Sequence, residues 1–263
     1  MLQLSSEQKI HYTLRLSVAM CFIGHGAFGI ITKPIWCNYF AVFGIGHDLA
    51  YRLMPVLGSF DILLGVMMLV YPVRIIPLWL VVWGVLTASL RPLSGEPFAE
   101  LIERAGNFGA PLAFLILAGS GGAGIRSWWA RVHPDHEISK EAKAKLTLCL
   151  RVVVFLLLLG HGWLNIIEKK GLLGQYAALG FTSPGLVAQY VGIFEIVAAC
   201  AVLVRPFRPL LLALFVWKMS SELFYPHYAL FEWIERGGSY GSILALFFAI
   251  REVSVPRYVP LAT

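Results

Sequence analysis

Long apolar runs separated by short polar ones dominate the chain, and most approach the roughly 20 residues that a membrane-spanning helix needs. The fourth and eighth runs begin with polar stretches, which indicates an interfacial turn or helix before a short span. The pattern predicts eight spans, at residues 14–32, 53–73, 75–90, 98–119, 146–167, 187–204, 209–225 and 228–250.

Composition supports a membrane protein. Hydrophobic residues make up 58% of the 263 positions and charged residues only 14%, whereas a soluble domain carries about 25% charged residues. A soluble enzyme, a disordered chain and a fibre are therefore excluded. The first span is expected to be retained, because no small-residue cleavage site follows it. The net charge of +6 comes from basic residues that punctuate the apolar runs, so the predicted partner is the lipid bilayer and no nucleic acid.

The distribution of positive charge predicts the orientation. Most of the 21 Lys and Arg residues fall in the termini, in the central linker and in the loops near Arg74 and Arg205. The positive-inside rule then places both termini in the cytoplasm. We expect a bacterial inner membrane.

The two halves of the chain share a series of motifs in the same order. The sequence therefore divides into a first unit at 1–120, a cytoplasmic linker at 121–146 and a second unit at 147–263. Four spans per unit bring both units into the membrane in the same sense, so the predicted fold is all-α, with two tandem four-helix bundles related by a pseudo-twofold axis along the membrane normal. The two bundles are expected to pack side by side or to merge into one eight-helix bundle. The matching positions include Gly24, His25 and Gly26 with Gly160, His161 and Gly162; Asp61 with Glu195; Trp83 with Trp217; and Glu103 and Arg104 with Glu235 and Arg236.

Each unit resembles the DoxX-like membrane proteins. The resemblance rests on an Arg at the start of the first span, a Gly-rich polar site within it, a Lys at its far end, and a second span that runs from Gly192 through Glu195 to Pro206. The His between two glycines is not a signature of that family. The resemblance implies a redox-linked subunit that binds quinone, as in thiosulfate:quinone oxidoreductase, or a membrane partner of a redox enzyme.

Two pairs of ionisable residues are predicted near the middle of the membrane. His25 lies about ten residues into the first span and Asp61 about ten residues into the second, which places both at similar depth. The same reasoning pairs His161 with Glu195. Such a pair can fix an imidazole tautomer, hold a proton or orient a ligand. It can equally be a buried strut that stabilises helix association.

Other ligands of the two histidines stay open at this stage. Two histidines at equal depth, each flanked by glycines, suggest a haem b held by both, although haem-binding bundles more often carry His pairs along the same helices. The residue types also allow a metal site. Of these cofactors quinone is preferred to haem, and no metal ligand is assigned.

The second unit has two further charges within its third span. Lys218 and Glu222 are four residues apart and share a helix face, which favours the second unit as the active one. His227 lies near the outer end of the same span. The predicted catalytic residues are His161, Glu195, Lys218 and Glu222, and the predicted cofactor-binding residues are His25, Asp61, Trp83 and Trp217.

Charged motifs near the outer face form the last candidate group. They are expected to build one ion network at the mouth of each bundle, as a gate or as an interfacial salt-bridge cluster. Lys33 and Lys169 are expected to be snorkelling anchors. The two networks comprise Glu100, Glu103 and Arg104 in the first unit and Glu232, Glu235 and Arg236 in the second.

Three functions remain open from the sequence. The first is a redox-linked subunit with quinone bound between the helices, together with a redox partner or other membrane subunits. The second is a small-molecule or proton-coupled transporter, although the repeats are parallel and no span has a Gly- or Pro-broken centre. The third is a non-catalytic scaffold of a membrane complex.

Overall fold

The computed structural model describes residues 4–119, 124–135, 137–223 and 230–250, and these are almost entirely helical. Within these ranges no β-strand occurs apart from an isolated bridge between Val73 and Arg131, so the all-α class is confirmed. A 3-10 helix, Ile125–Trp128, lies in the linker. The α-helices are α1 (Ser6–Ile30), α2 (Trp36–Ala41), α3 (His47–Val70), α4 (Ile75–Leu93), α5 (Ala99–Glu103), α6 (Ala105–Ala118), α7 (Lys140–Ile166), α8 (Lys170–Ala178), α9 (Pro184–Val204), α10 (Arg208–Leu223), α11 (Leu230–Glu235) and α12 (Gly237–Ala249).

Local capping sets the start of the long helices. Ser5 precedes α1 and forms a capping box with Gln8, in which each side chain bonds the backbone of the other residue. The hydroxyl of Ser139 accepts from the backbone N–H of Ala142 at the start of α7. Pro184, whose ring suits the first helical position, begins α9. The helices α1 and α7 therefore extend well beyond the apolar runs that predicted them.

Four helices, α1, α3, α4 and α9, are long and apolar enough to cross a membrane, which indicates a membrane protein. The helices α6 and α12 are apolar but shorter. Large apolar side chains such as Val56, Val70 and Val197 are exposed on the outside, as contact with lipid would require. The eight predicted spans are thus supported in part. Residues 224–229, which include the end of the seventh predicted span, the start of the eighth and His227 between them, lie outside the described ranges.

Small residues bring the principal helix pairs together. The helix α1 packs most extensively against α3, and α7 against α9. At the first crossing a Cβ on Gly29 would lie 2.6 Å from the carbonyl oxygen of Met54. At the second crossing a Cβ on Gly192 would lie 2.8 Å from the carbonyl oxygen of Gly162. Only glycine permits such close backbone approach, which is a common way for helices to associate in lipid.

The two halves interlock, which agrees with a merged bundle rather than with two bundles side by side. The helix α1 packs against α11 and α12 of the second half, and α7 packs against α5 and α6 of the first. A Cβ on Gly106 would lie 2.7 Å from the backbone nitrogen of Ser239, so α6 and α12 meet backbone to backbone. One hydrophobic core consequently contains buried residues from both halves, among them Leu14, Phe114, Leu150 and Leu246.

The close approach of α1 and α11 gives a first prediction. A Cβ on Gly24 would collide with the backbone of Glu235, 2.6 Å from its Cα. Gly24→Ala is expected to cost about 1–3 kcal/mol of unfolding free energy, as overpacking does. Gly174→Ala is the control, because nothing lies within 4 Å of a Cβ there and alanine favours a helix. Thermal unfolding in detergent measures both variants, and equal melting temperatures would contradict the interlocked packing.

Candidate functional site

The first predicted His–carboxylate pair is present. His25 on α1 and Asp61 on α3 are joined by a contact of 2.8 Å between Nδ1 and Oδ2. Asp61 is only 1% exposed. The imidazole also packs on the indole of Trp36, with ring centroids 4.7 Å apart. The close α1–α3 crossing at the glycines holds the two side chains at one level.

The second pair is more extensively hydrogen-bonded. His161 Nδ1 contacts Glu195 Oε2. The other oxygen, Oε1, accepts from Trp217 Nε1 at 3.0 Å. Asn165 donates to the carbonyl oxygen of His161 at 3.0 Å and accepts from the hydroxyl of Tyr176 at 2.6 Å. The polar side chains around His161 and Glu195 therefore form hydrogen bonds with one another.

Asn165 and Tyr176 were missed by the sequence analysis. Asn165 follows His161 by one helical turn and so shares its face, which is a signal that the sequence does contain. Tyr176 lies on the short helix α8, eleven residues further on in the chain. No periodic pattern in the sequence relates that helix to α7. The hydrogen bond from Tyr176 to Asn165 could therefore be found only from the tertiary structure.

Each pair borders a cavity. The first has a volume of about 200 Å³ and the second of about 250 Å³. His25 lines the first cavity, and His161 lines the second. The wall of the first combines aliphatic and charged side chains, Arg91 and Arg104 among them, with five aromatic ones, namely Trp36, Tyr39, Phe40, Phe43 and Trp83. Tyr176, Phe181 and Trp217 contribute to the wall of the second.

Two buried tyrosines mark the edges of these cavities outside the candidate spans. Tyr39 on α2 donates to Glu96 at 2.5 Å. Burial raises the pKa of the Tyr39 phenol, and proximity to Glu96 raises this pKa further, although Arg91 opposes the shift. Burial likewise raises the pKa of Tyr176 on α8. Both phenols are therefore neutral hydrogen-bond donors at physiological pH.

Lys218 and Glu222, which were assigned with His161 and Glu195 to one predicted catalytic group, lie beside the second pair. Lys218 Nζ is 3.7 Å from Glu195 Oε1 and 3.4 Å from Glu222 Oε1. Arg236 Nε is 3.0 Å from Glu222 Oε2. All three charges of the Glu195, Lys218 and Glu222 group are buried, and opposite signs alternate along it.

The acidic and basic motifs form one network across the two halves, which corrects the expectation of a separate network at each mouth. Glu103 of the first half pairs with Arg236 of the second and, at 2.7 Å, with its neighbour Arg104. Arg104 in turn pairs with Glu100 at 2.6 Å. The reason is the interlocked packing, because α5 lies against α7 and α11 against α1.

The remaining charged residues of this network also form ion pairs with the opposite half of the chain. Lys33 pairs with Glu232 of the other half at 2.9 Å, and Lys169 pairs with Glu100. Lys33 and Lys169 are thus ion-pair partners in addition to any snorkelling role. Glu235 lines the first cavity, which belongs to the half opposite its own. The helix α11 therefore helps to complete the first cavity.

The positions of the two cavities affect the choice between haem, a metal ion and quinone as the cofactor. Because His25 and His161 line different cavities, a haem held by both would need a shared space that these two cavities do not provide. Within the described ranges no group of three or more His, Cys, Asp or Glu side chains is arranged to hold a metal ion. Each aromatic cavity is of the right size for a single substituted ring, since about 150 Å³ accommodates benzene.

Comparison of the chain with protein-family models, with curated proteins and with solved structures yields no match. The function is therefore inferred from the residues and their geometry. The catalytic assignment of His161, Glu195, Lys218 and Glu222 stays a prediction.

Proposed function

We propose that this protein is a redox-linked membrane protein that binds the ring of a quinone-type molecule between its helices. The observation that carries the proposal is a buried His–carboxylate pair whose imidazole lines an aromatic cavity, namely His25 with Asp61. Stacking against aromatic walls favours a flat ring. An imidazole held by a carboxylate is suited to accept or release the proton that accompanies quinone chemistry.

The proposal includes eight spans in two DoxX-like units, with both termini in the cytoplasm of a bacterial inner membrane. The order of helix lengths supports it, because each half has a long helix, a short one, two longer ones, a short one and a shorter apolar one. The reciprocal packing of α1 with α11 and α12, and of α7 with α5 and α6, favours a twofold relation.

The two halves take different roles in this proposal. In the first half, His25, Asp61 and Trp83 seat the ring. In the second half, His161 and Glu195, with the adjoining Lys218 and Glu222, hold protons within a charged cluster, and Trp217 orients Glu195. The partner is then a redox protein or another membrane subunit that exchanges electrons with the bound molecule.

The test uses purified protein in lipid nanodiscs. We expect isoprenoid quinone in the organic extract of the washed protein, and we expect trimethyl-1,4-benzoquinone to raise the melting temperature in a saturable way. In His25→Phe, which fills part of the cavity and removes the imidazole, affinity is expected to fall about tenfold or more, the loss that one strong hydrogen bond implies. The control is Trp163→Phe, an exposed position on α7.

Other outcomes would replace this proposal. Solute or proton flux in liposomes without quinone binding would favour the transporter. Stable co-purification of another chain, with neither binding nor flux, would favour the scaffold. Either result would contradict a quinone-binding function.

A further inference from the structure

The wall of the first cavity includes apolar side chains that are also exposed on the outside of the molecule. Phe43, in the loop before α3, is 57% exposed, and Leu86 on α4 is 40% exposed. The helix α3 contributes Leu57 to the same wall. A wall residue that is also exposed marks a mouth of the cavity. This mouth lies where α3 and α4 face the surrounding lipid.

Glycine packing explains why α3 and α4 leave a gap between them. The helix α3 is drawn to α1 at Gly58, where a Cβ would collide with the carbonyl oxygen of Gly26. The helix α4 is drawn to α6 at Gly84, where a Cβ would lie 3.1 Å from the carbonyl oxygen of Asn107. Each helix is thus held by a different partner. Although they are consecutive in the chain, α3 and α4 hardly contact each other.

A strip of aromatic rings connects the cavity to the lipid-facing surface. Trp83 lines the cavity and stacks on Trp79 with an interplanar angle of 12°. Trp79 meets Phe60 of α3 edge-on, with ring centroids 6.2 Å apart, and both of these side chains are exposed. We call the gap bounded by Leu57 and Phe60 on α3 and by Trp79 and Leu86 on α4 the lateral seam.

The lateral seam runs from the cavity deeper into the membrane. Leu86 lies seven residues before the end of α4, and Leu57 ten residues after the start of α3, which is roughly 10 and 15 Å along the helices. Phe60 and Trp79 lie about 20 Å from the same helix ends. These levels fall within a hydrocarbon layer about 30 Å thick. A tail attached to a ring in the cavity would therefore extend along the seam among the lipid chains.

We propose that the lateral seam binds the apolar tail of a membrane-resident molecule whose ring occupies the first cavity. The tail leaves the cavity between Leu57 and Leu86 and lies over Phe60 and Trp79. This inference rests on the proposed function, and it adds the class of ligand and the route of entry. The ligand is a lipid that reaches the cavity from the bilayer, in contrast to a water-soluble aromatic compound.

The energetic role of the seam follows from its apolar walls. Lipid chains are as apolar as leucine side chains, so a tail gains no hydrophobic free energy when it moves from the bilayer into the seam. The seam instead allows the ring to enter the cavity while the tail stays in apolar surroundings. A tail should therefore leave the affinity unchanged when the seam is open and should weaken binding when the seam is blocked.

The experiment compares two probes that bind to the full chain in lipid nanodiscs. One is trimethyl-1,4-benzoquinone, and the other is the same ring with a ten-carbon alkyl chain at its free position. Concentrations are expressed per lipid molecule, because the chain concentrates the second probe in the bilayer. We expect the unchanged protein to bind both equally. Leu86→Trp is expected to weaken the tailed probe about tenfold or more, the effect of overpacking, and to leave the tailless one unchanged.

Two control variants carry the same replacement elsewhere. Val85 is exposed next to Leu86 on α4, but successive residues of a helix point about 100° apart around its axis, and Val85 does not line the cavity. Ser220 lines the second cavity at the position that matches Leu86. Val85→Trp and Ser220→Trp are both expected to leave the affinities for the two probes unchanged.

Photolabelling tests the inference on the unchanged protein, so it holds even if Leu86→Trp does not fold. The probe is the tailed quinone with a diazirine group in its alkyl chain. We expect it to label peptides of α3 and α4, and we expect excess tailed quinone without the diazirine to suppress this labelling. Suppressible labelling confined to other helices would overturn the inference.

The remaining outcomes separate this inference from the proposed function. Equal losses for both probes in folded Leu86→Trp, or no loss for either, would overturn the lateral seam while leaving ring binding intact. Loss of the tailed probe in Ser220→Trp alone would overturn the assignment to the first cavity. Absence of binding by both probes to the unchanged, folded protein would overturn the proposed function itself. Melting temperatures establish that each variant is folded.

Discussion

Glu195→Ala is expected to lower the free energy of unfolding by about 3–5 kcal/mol, the cost typical of removing one partner from a buried ion pair. Glu195 is completely buried and contacts His161, Trp217 and Lys218. With alanine in its place, Lys218 retains only Glu222 as an ion-pair partner among the described residues, and the indole N–H of Trp217 loses its acceptor. Near-ultraviolet circular dichroism during thermal unfolding in detergent measures the loss.

Two comparisons make this prediction sharper. Asp61→Ala, at the matching position of the first half, is expected to cost about 1–3 kcal/mol, because it removes a partner of His25 but leaves no lysine unpaired. The double variant Glu195→Gln, Lys218→Met is expected to recover much of the stability, since neither replacement leaves an isolated buried charge. Equal losses at Glu195 and Asp61 would contradict the asymmetry between the halves.

Glu103→Ala is expected to have a similar effect, also about 3–5 kcal/mol, because Glu103 is buried between two arginines. One of these, Arg236, belongs to the other half of the chain. Removing the carboxylate leaves one positive charge in excess at a contact between the two halves. The melting temperature should fall by a similar amount at low and at high salt, because buried pairs are screened little.

The matched control is Glu141→Ala. Glu141 pairs with Lys145 one turn away at 2.6 Å, but both side chains are largely exposed, at 76% and 66%. Exposed pairs of this kind contribute little, so no measurable change in melting temperature is expected. If Glu103→Ala were as mild as Glu141→Ala, the ion network across the halves would have no structural role.

This network places buried charge next to the candidate sites. Starting from Glu195, ion pairs run through Lys218, Glu222, Arg236 and Glu103, and they continue to Arg104. Because carboxylates and cations alternate, each charge has a partner close by. The attraction between partners offsets the cost of burying the charges only when the geometry of the pair is good. Removing any one carboxylate therefore takes a partner away from a buried cation. The free energy of unfolding is expected to fall by more than the loss of that carboxylate's own contacts alone would cause.

The hydropathy pattern was sufficient for the approximate positions of the long helices, because burial in lipid requires apolar residues in runs of helical length. It did not predict the short helices α2 and α8. The runs at 53–73 and 187–204 became α3 and α9. The run at 98–119 divides at Arg104 into α5 and α6. The division occurs because the polar residues at the start of this run form ion pairs and hydrogen bonds with other protein groups, which lipid cannot offer them.

The pairing of His25 with Asp61, and of His161 with Glu195, was also predictable. Depth along a helix follows from its rise per residue, and neighbouring helices of one unit are antiparallel. The choice of partners across the halves was not predictable in this way. Glu103 meets Arg236, and Glu235 reaches the cavity of His25, because glycines allow α5 and α11 to approach the opposite half. Hydropathy and spacing are local properties of the chain, whereas the packing of two interlocked halves is a property of the whole molecule, and it alone decides which charges of one half meet those of the other.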